Sequence, residues 1–271
     1  PTTVRKLRID SSTLKSINPR LICCDISGYG EAPQMMKKKS YDLLIQAESG
    51  LIDISGSPEG LGRIGVSICD IGAGMAAHAG IVESLLLRER FNEVKDVKIS
   101  LFDVAADWMT VPYIHSKYGG AAPKRVGLKH PSIAPYGAFL CSESTSFIIS
   151  IQNELEWKRF CVEVLKTPAL AKENKFSSNT LRVKNRDLLD ETIQSILSSL
   201  TDESLKNSLE DASIAYGRLN TVKDLERHLA LKKISVRNSL DNSLAIPSPP
   251  LIWENSEKKA PKFNQHNEQL R

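Results

Sequence analysis

The chain carries an acid at the start of a run of small residues, in Arg63-Ile-Gly-Val-Ser-Ile-Cys-Asp70-Ile-Gly-Ala-Gly-Met-Ala-Ala-His-Ala-Gly80. This pattern predicts Asp70 at the mouth of a helix, on the positive end of its dipole and among backbone N–H groups without intrahelical partners. Gly72 and Gly74 leave the backbone bare, so a ligand can come close. A carboxylate so placed can act as a covalent nucleophile. Asp is equally a favoured helix cap, and the local sequence fits either role. Upstream, Lys37, Lys38 and Lys39 lead into Ser40, Tyr41 and Asp42. Lysines there can meet phosphates as point charges, although a run of like charge is as readily a solvated loop. Tyr41 can equally be an aromatic packed on the core, and Asp42 a solvated acid at a helix start.

Other chemistries find less support. Gly28-Tyr-Gly30 and Gly72-Ala-Gly74 each give G-x-G after an apolar run, but neither completes G-x-G-x-x-G, so dinucleotide oxidoreduction is weakly supported. No G-x-S-x-G occurs, which argues against a serine hydrolase. His115, His228 and His266 lie too far apart in sequence to suggest a metal site. His130 reads as a loop hydrogen-bonder and His78 as a residue packed along an apolar helix. Cys23, Cys24, Cys69, Cys141 and Cys161 are odd in number and lack C-x-x-C spacing, which fits buried thiols in a reducing cytoplasm better than zinc or disulfides.

The elements that must hold these residues follow an alternating pattern. Residues 20–27 read as a buried strand ending in a Gly-Tyr-Gly turn, residues 41–47 as a helix stopped by Gly50, and residues 71–90 as a long helix closed by Arg88 and Arg90. Residues 97–101 alternate with period two and a helical pattern follows through Trp108. This succession predicts an α/β layer over residues 1–117. Residues 118–127 break the pattern as a linker. Residues 128–228 then read as a smaller α+β domain, with strands at 137–140 and 146–151 and helices at 154–165, 184–197 and 202–209. Residues 229–271 are an extended return segment, centred on 246–252, and a polar tail loosely held. The chain has 271 residues, 41% hydrophobic and 25% charged, the balance of a soluble globular protein. The net charge of +4 is spread along the chain; it suits an anionic ligand and makes no case for nucleic acid. No apolar run reaches the length of a membrane span, and no signal peptide is seen.

The segment around Asp70 resembles the active-site region of the class III CoA-transferases, the family of formyl-CoA transferase and carnitine CoA-transferase. Ile17-Asn-Pro-Arg-Leu-Ile22, Ile26-Ser-Gly-Tyr-Gly30, Tyr41-Asp-Leu-Leu-Ile-Gln-Ala-Glu-Ser-Gly50, Ser100-Leu-Phe-Asp103, His130-Pro-Ser-Ile-Ala-Pro-Tyr136, Asn185-Arg-Asp-Leu-Leu189 and Asn220-Thr-Val-Lys-Asp224 fall in that family's order and approximate spacing. The resemblance implies a Rossmann-like large α/β domain with a second, smaller α+β domain, and an interlocked homodimer. It implies transfer of coenzyme A between an acyl-CoA and a carboxylic acid, with CoA as substrate and no permanently bound cofactor. Asp70 matches the family's nucleophile, which passes through an aspartyl anhydride and an aspartyl-CoA thioester. Lys38, Lys39, Ser40, Tyr41 and Asp42 fall in a CoA-contacting segment, and Lys6 stands where relatives use an arginine against CoA.

Tyr41 separates this chain from the related α-methylacyl-CoA racemases, which carry a histidine there. A phenol, ionising near about pH 10, is a poor proton shuttle at neutral pH, so the transferase reading is favoured over the racemase one. The chain lacks the glycine-rich loop that formyl-CoA transferase carries near His130, which implies a different acceptor pocket. Against the family the sequence begins late, at Pro1. The expectation is a fragment without the N-terminal region, which binds CoA poorly or stands as an inactive member. The compartment expected is the cytoplasm, or a mitochondrion if a transit peptide precedes the sequence given.

Overall fold

The computed structural model describes residues 2–142, 145–240, 242–251, 258–262 and 265–267. Two short helices, α1 (Thr2–Lys6) and α2 (Ser11–Ile17), come first. Asp10 caps α2 by accepting from the Thr13 N–H at 3.2 Å and the Thr13 hydroxyl at 2.8 Å. The Ser12 and Thr13 hydroxyls, with that N–H, hold its carboxyl down to about 2. β1 (Cys24–Ser27) leads to α3 (Asp42–Glu48), and Gly50, at φ 86°, turns the chain into α4 (Leu51–Ile54). A small hairpin, β2 (Gly56–Ser57) and β3 (Gly60–Leu61), precedes the long helix α5 (Ile68–Phe91). Then follow β4 (Val97–Ser100), α6 (Leu101–Trp108) and α7 (Thr110–Tyr118).

β1 and β4 run parallel, with Cys24 opposite Val97 and Ser27 opposite Ser100. The strand expected over 20–27 is therefore shorter and less buried than its apolar run suggested. Ile26 is 53% exposed, because only two strands pair in this sheet among the described residues. α5 lies close on the sheet because its residues are small; a Cβ on Gly80 would stand 2.8 Å from a Val97 methyl. Tyr29, Ile45, Leu51, Cys69 and Ala105 form the apolar cluster between α3, α5 and α6.

Residues 118–127 run from the end of α7 over the β2–β3 hairpin. Arg125 donates to the carbonyls of Asp53 at 2.8 Å and Ser57 at 3.2 Å, and the Gly127 N–H donates to Gly56 at 2.9 Å. Gly56 allows this: its φ is 98°, and a Cβ there would meet the Gly60 carbonyl at 2.4 Å.

A second, larger apolar cluster follows. β5 (Tyr136–Leu140), β6 (Ser146–Ser150) and β7 (Ala215–Arg218) form an antiparallel sheet in that order. It is packed by α8 (Glu154–Arg159), α9 (Asn179–Lys184), α10 (Arg186–Leu197) and α11 (Asp202–Asp211). The helix expected over 154–165 starts at the foreseen cap, where Asn153 accepts the Glu156 N–H at 2.9 Å, but widens to a π-helix over Phe160–Val164. Trp157, Phe160, Phe176, Leu189, Ile193 and Leu205 are among its fully buried side chains, each worth about 1.5–3 kcal/mol on leaving water. Arg182, 1% exposed, is buried with them; it donates to both carboxylate oxygens of Glu154, at 2.7 and 2.9 Å, and to the carbonyls of Ala134 and Phe176.

Beyond α12 (Val222–Leu225), the return segment is a hairpin rather than a single extended stretch. β8 (Lys233–Arg237) pairs antiparallel with β9 (Ser243–Pro247), and β10 (Lys258–Lys259) lies parallel to β8. Most of the tail expected over 254–271 lies outside the described residues. The fold is mixed α/β, as expected. No helix among the described residues is long and apolar enough to cross a membrane.

Candidate active site

Asp70 lies in the first turn of α5, exposed. The helix opens after Ser67, whose side chain makes no capping bond. The cap comes from another helix: Asp42, 8% exposed in the first turn of α3, accepts the Cys69 N–H at 2.8 Å. With that bond made elsewhere, Asp70 is released from capping. Its carboxylate makes no hydrogen bond or ion pair among the described residues, and its own N–H donates to no partner there either. A free carboxylate therefore sits beside a free amide at the positive end of a helix of 24 residues.

The two glycines after Asp70 do different work. Position 74 is one turn beyond Asp70 on the same side of the helix, and a Cβ on Gly74 would meet nothing within 4 Å. That space is open to a ligand, as the sequence led one to expect. Gly72 is not: a Cβ there would come 2.4 Å from the Trp108 ring and 2.9 Å from Val104. Its smallness seats α6 against α5 instead of admitting a ligand. His78, expected to pack, is exposed, because it shares an outward stripe with Ile71, Met75, Val82 and Leu86.

The segment before α3 is partly assembled. Tyr41 is 70% exposed immediately before Asp42, so it does not pack on the core. Ser40 sits on Gly28, where a Cβ would strike its hydroxyl at 2.0 Å. Lys38 forms an ion pair with Glu48 and lies 5.2 Å from the centre of the Tyr29 ring. The hydrogen bond to Glu48 raises its ammonium above the usual lysine range. Glu48 is at the far end of α3, about 9 Å along the axis from Asp42, so the Lys38 ammonium is held at the end of α3 opposite Asp42. Lys39 is exposed and makes no ion pair among the described residues. Lys6 is exposed on α1, and no hydrogen bond or ion pair links it to Asp42 or Asp70. Its neighbours Val4 and Arg5 border a cleft of about 580 Å³ that runs along β1 and β4, from Asp96 to Ser100. The lysines of that cleft are neutralised: Lys15 pairs with Asp96 at 2.8 Å and Lys98 with Glu31 at 2.9 Å.

One residue escaped the sequence reading, and one was read as it stands. Gln46, fully buried on α3, joins Asp42 to the segment that leads into α5. Cys69 is the buried thiol that the sequence led one to expect, and burial, with the Asp42 carboxylate, pushes it up to about 11. It stays protonated at neutral pH. His130 behaves as a loop residue, stacked on Tyr136 with ring centres 5.2 Å apart and its Nδ1 accepting the Ser132 N–H at 3.2 Å.

A profile described as CoA-transferase family III matches residues 1–267. The chain belongs to that family. Among its relatives, the succinate–glutarate CoA-transferase of Agrobacterium fabrum is 24% identical over 98% of this chain and 68% of its own length. The acetyl-CoA:oxalate CoA-transferase of Acetobacter aceti is 29% identical over 92% of this chain and 63% of its own length. A CaiB/BaiF family protein from Brucella suis superposes with a TM-score of 0.82 at 27% identity, covering 99% of this chain and 72% of that one. This family III chain thus spans about two thirds of the length of these two curated relatives.

Proposed function

We propose that this chain carries the transfer site of a class III CoA-transferase, with Asp70 as nucleophile. The observation that supports it best is the unpartnered Asp70 carboxylate at the α5 mouth, next to open space at Gly74 and its own unbonded N–H. The carboxylate attacks the thioester carbonyl, giving an acyl-aspartyl anhydride and CoA thiolate. The thiolate attacks the aspartyl carbonyl, releasing the donor acid and leaving an aspartyl-CoA thioester. The acceptor carboxylate repeats the two steps in reverse and departs as its thioester, returning Asp70. Each tetrahedral oxyanion needs a fixed donor, and the Asp70 N–H at the helix start is suited to that task. Lys39, Ser40 and Tyr41 border the site and line the CoA approach. Lys39, like Lys37, makes no ion pair among the described residues and is free to meet a phosphate, while Lys38 must first leave Glu48. Lys6 is assigned to CoA, where relatives use an arginine.

The relatives' names share a dicarboxylate as acid, so the acceptor proposed is a dicarboxylic acid, with oxalate not the obvious one because the glycine-rich loop near His130 is lacking. Five free thiols suit a reducing compartment, here the cytoplasm. A homodimer would cover the outward apolar stripe on α5.

The deciding experiment incubates the protein with CoA thioesters and a panel of carboxylic acids, read by mass spectrometry. Hydroxylamine added with acyl-CoA should convert Asp70, and no other carboxylate, to a hydroxamate. Asp70→Asn should lower turnover roughly 10⁴-fold without loss of fold. Unchanged turnover in that variant would sink the assignment. Exchange of the α-hydrogen of a 2-methylacyl-CoA in deuterated water without an acceptor acid would favour the racemase reading instead.

A further inference from the structure

We infer that Gln46 is a positioning residue for Asp70, an inference that rests on the transfer reading given above. Gln46 stands one turn after Asp42 on α3 and is fully buried. Its amide nitrogen donates to the Asp42 carboxylate at 2.6 Å and to the Ile64 carbonyl at 3.3 Å, and its oxygen accepts the Ile64 N–H at 3.0 Å. Every polar atom of the side chain is thereby used. The grip on Ile64 is two-pointed, like a strand partner, and it acts on a stretch that has no partner strand among the described residues. Between the Gly62 N–H, bonded to Ser55, and the first turn of α5, this amide is what fixes the backbone laterally. The other oxygen of Asp42 accepts the Cys69 N–H. Two contacts from a single helix, one six residues before Asp70 and one at the residue before it, therefore set where the Asp70 Cα sits.

The chemistry explains why an amide is needed. A glutamate at this position would bring a second carboxylate against Asp42 and a lone pair against the Ile64 carbonyl. An apolar residue of like volume would leave Asp42, the Ile64 N–H and the Ile64 carbonyl unpaired in a buried site. Either change frees the segment before α5 and lets Asp70 drift from in-line attack.

The test reads kinetics and amide deuterium exchange in parallel on Gln46→Met and on the double variant Asp42→Asn/Gln46→Glu. Displacement of a nucleophile by about 1 Å can cost on the order of 100-fold, so Gln46→Met should lower kcat by about that factor while KM for the acyl-CoA moves by less than about threefold. Exchange over residues 64–72 should rise, with no rise over residues 186–197. The double variant exchanges amide and carboxylate. The amide introduced at position 42 would still accept the Cys69 N–H and would donate to the carboxylate introduced at position 46, which would still accept the Ile64 N–H; the Ile64 carbonyl alone loses its donor, which keeps the recovery partial. It should recover protection over 64–72 and kcat to within about tenfold, the signature of coupled positions. If Gln46→Met does not fold, Gln46→Asn, which draws the amide back by one methylene, serves for the same readings. Wild-type kcat in the single variant, or restored protection without restored kcat in the double one, overturns the proposal. Absence of CoA transfer by the unaltered protein would strike the transfer reading alone, since exchange over 64–72 still reports whether Gln46 holds that segment.

Discussion

At the scale of single residues, the glycines flanking Ala73 separate packing from ligand space. Gly72→Ala should destabilise the protein by about 1–3 kcal/mol, because the added methyl must displace the Trp108 ring; thermal or urea unfolding measures it. Gly74→Leu should keep or slightly raise the unfolding midpoint, since a Cβ there meets nothing within 4 Å and leucine favours the helix over glycine, yet raise KM or abolish turnover by filling the space beside Asp70. A Gly74→Leu enzyme with normal kinetics would remove that space from the substrate path. The sequence marked both glycines as places where a ligand comes close, and at Gly72 it is the Trp108 ring that does so. Trp108 lies a helix and a strand further along the chain, and nothing local in Gly-Ala-Gly announces it. Asp70 and Asp42 were legible for the same local reason, acids at helix starts. Gln46 was not, because a glutamine inside a helix has no local signature; its meaning lies in Ile64, on a segment that folds back beside it.

Among the elements, the strands expected at 97–101, 137–140 and 146–151 stand within a residue of Val97–Ser100, Tyr136–Leu140 and Ser146–Ser150, while Thr110–Tyr118 went unread as a helix. The small residues of α5 and its closing arginines placed it over 71–90, against an observed Ile68–Phe91. The apolar run before Gly28 looked like a buried strand, but burial depends on how many strands flank it, which no run of residues encodes. Lys233–Arg237 went unread as a strand because its pairing with Ser243–Pro247 was needed to see it. The helices around Arg182 carry a testable load. Arg182→Met removes the guanidinium from Glu154 and from two buried carbonyls, and should cost about 3 kcal/mol in urea unfolding. The hydrogen bond from Arg182 holds the Glu154 carboxyl below its usual range. A depressed acid contributes stability that is present above its unfolded pKa and is lost as pH falls through the folded one. The wild-type urea midpoint should therefore fall more steeply than that of Arg182→Met as pH is lowered from about 5.

At the scale of the molecule, the apolar side chains divide between a smaller cluster under α5 and a larger one under the β5–β6–β7 sheet. The stripe of Ile71, Met75, Val82 and Leu86 belongs to neither and faces outward. Sedimentation velocity should show self-association that a charge at Met75 or Val82 relieves; a monomer at all concentrations would leave the homodimer without support. The β8–β9 hairpin also stands outside both clusters. Its ladder hydrogen bonds run within its own segment and to β10, and every residue of β9 is exposed. Opening it costs little, because no buried side chain has to leave a core. Under brief digestion trypsin should cut first after Lys232, Lys233 or Arg237, and spare Arg182 in its buried setting until much later. The same looseness makes the turn between the two strands the place where a foreign peptide could be inserted at least cost to the rest of the chain.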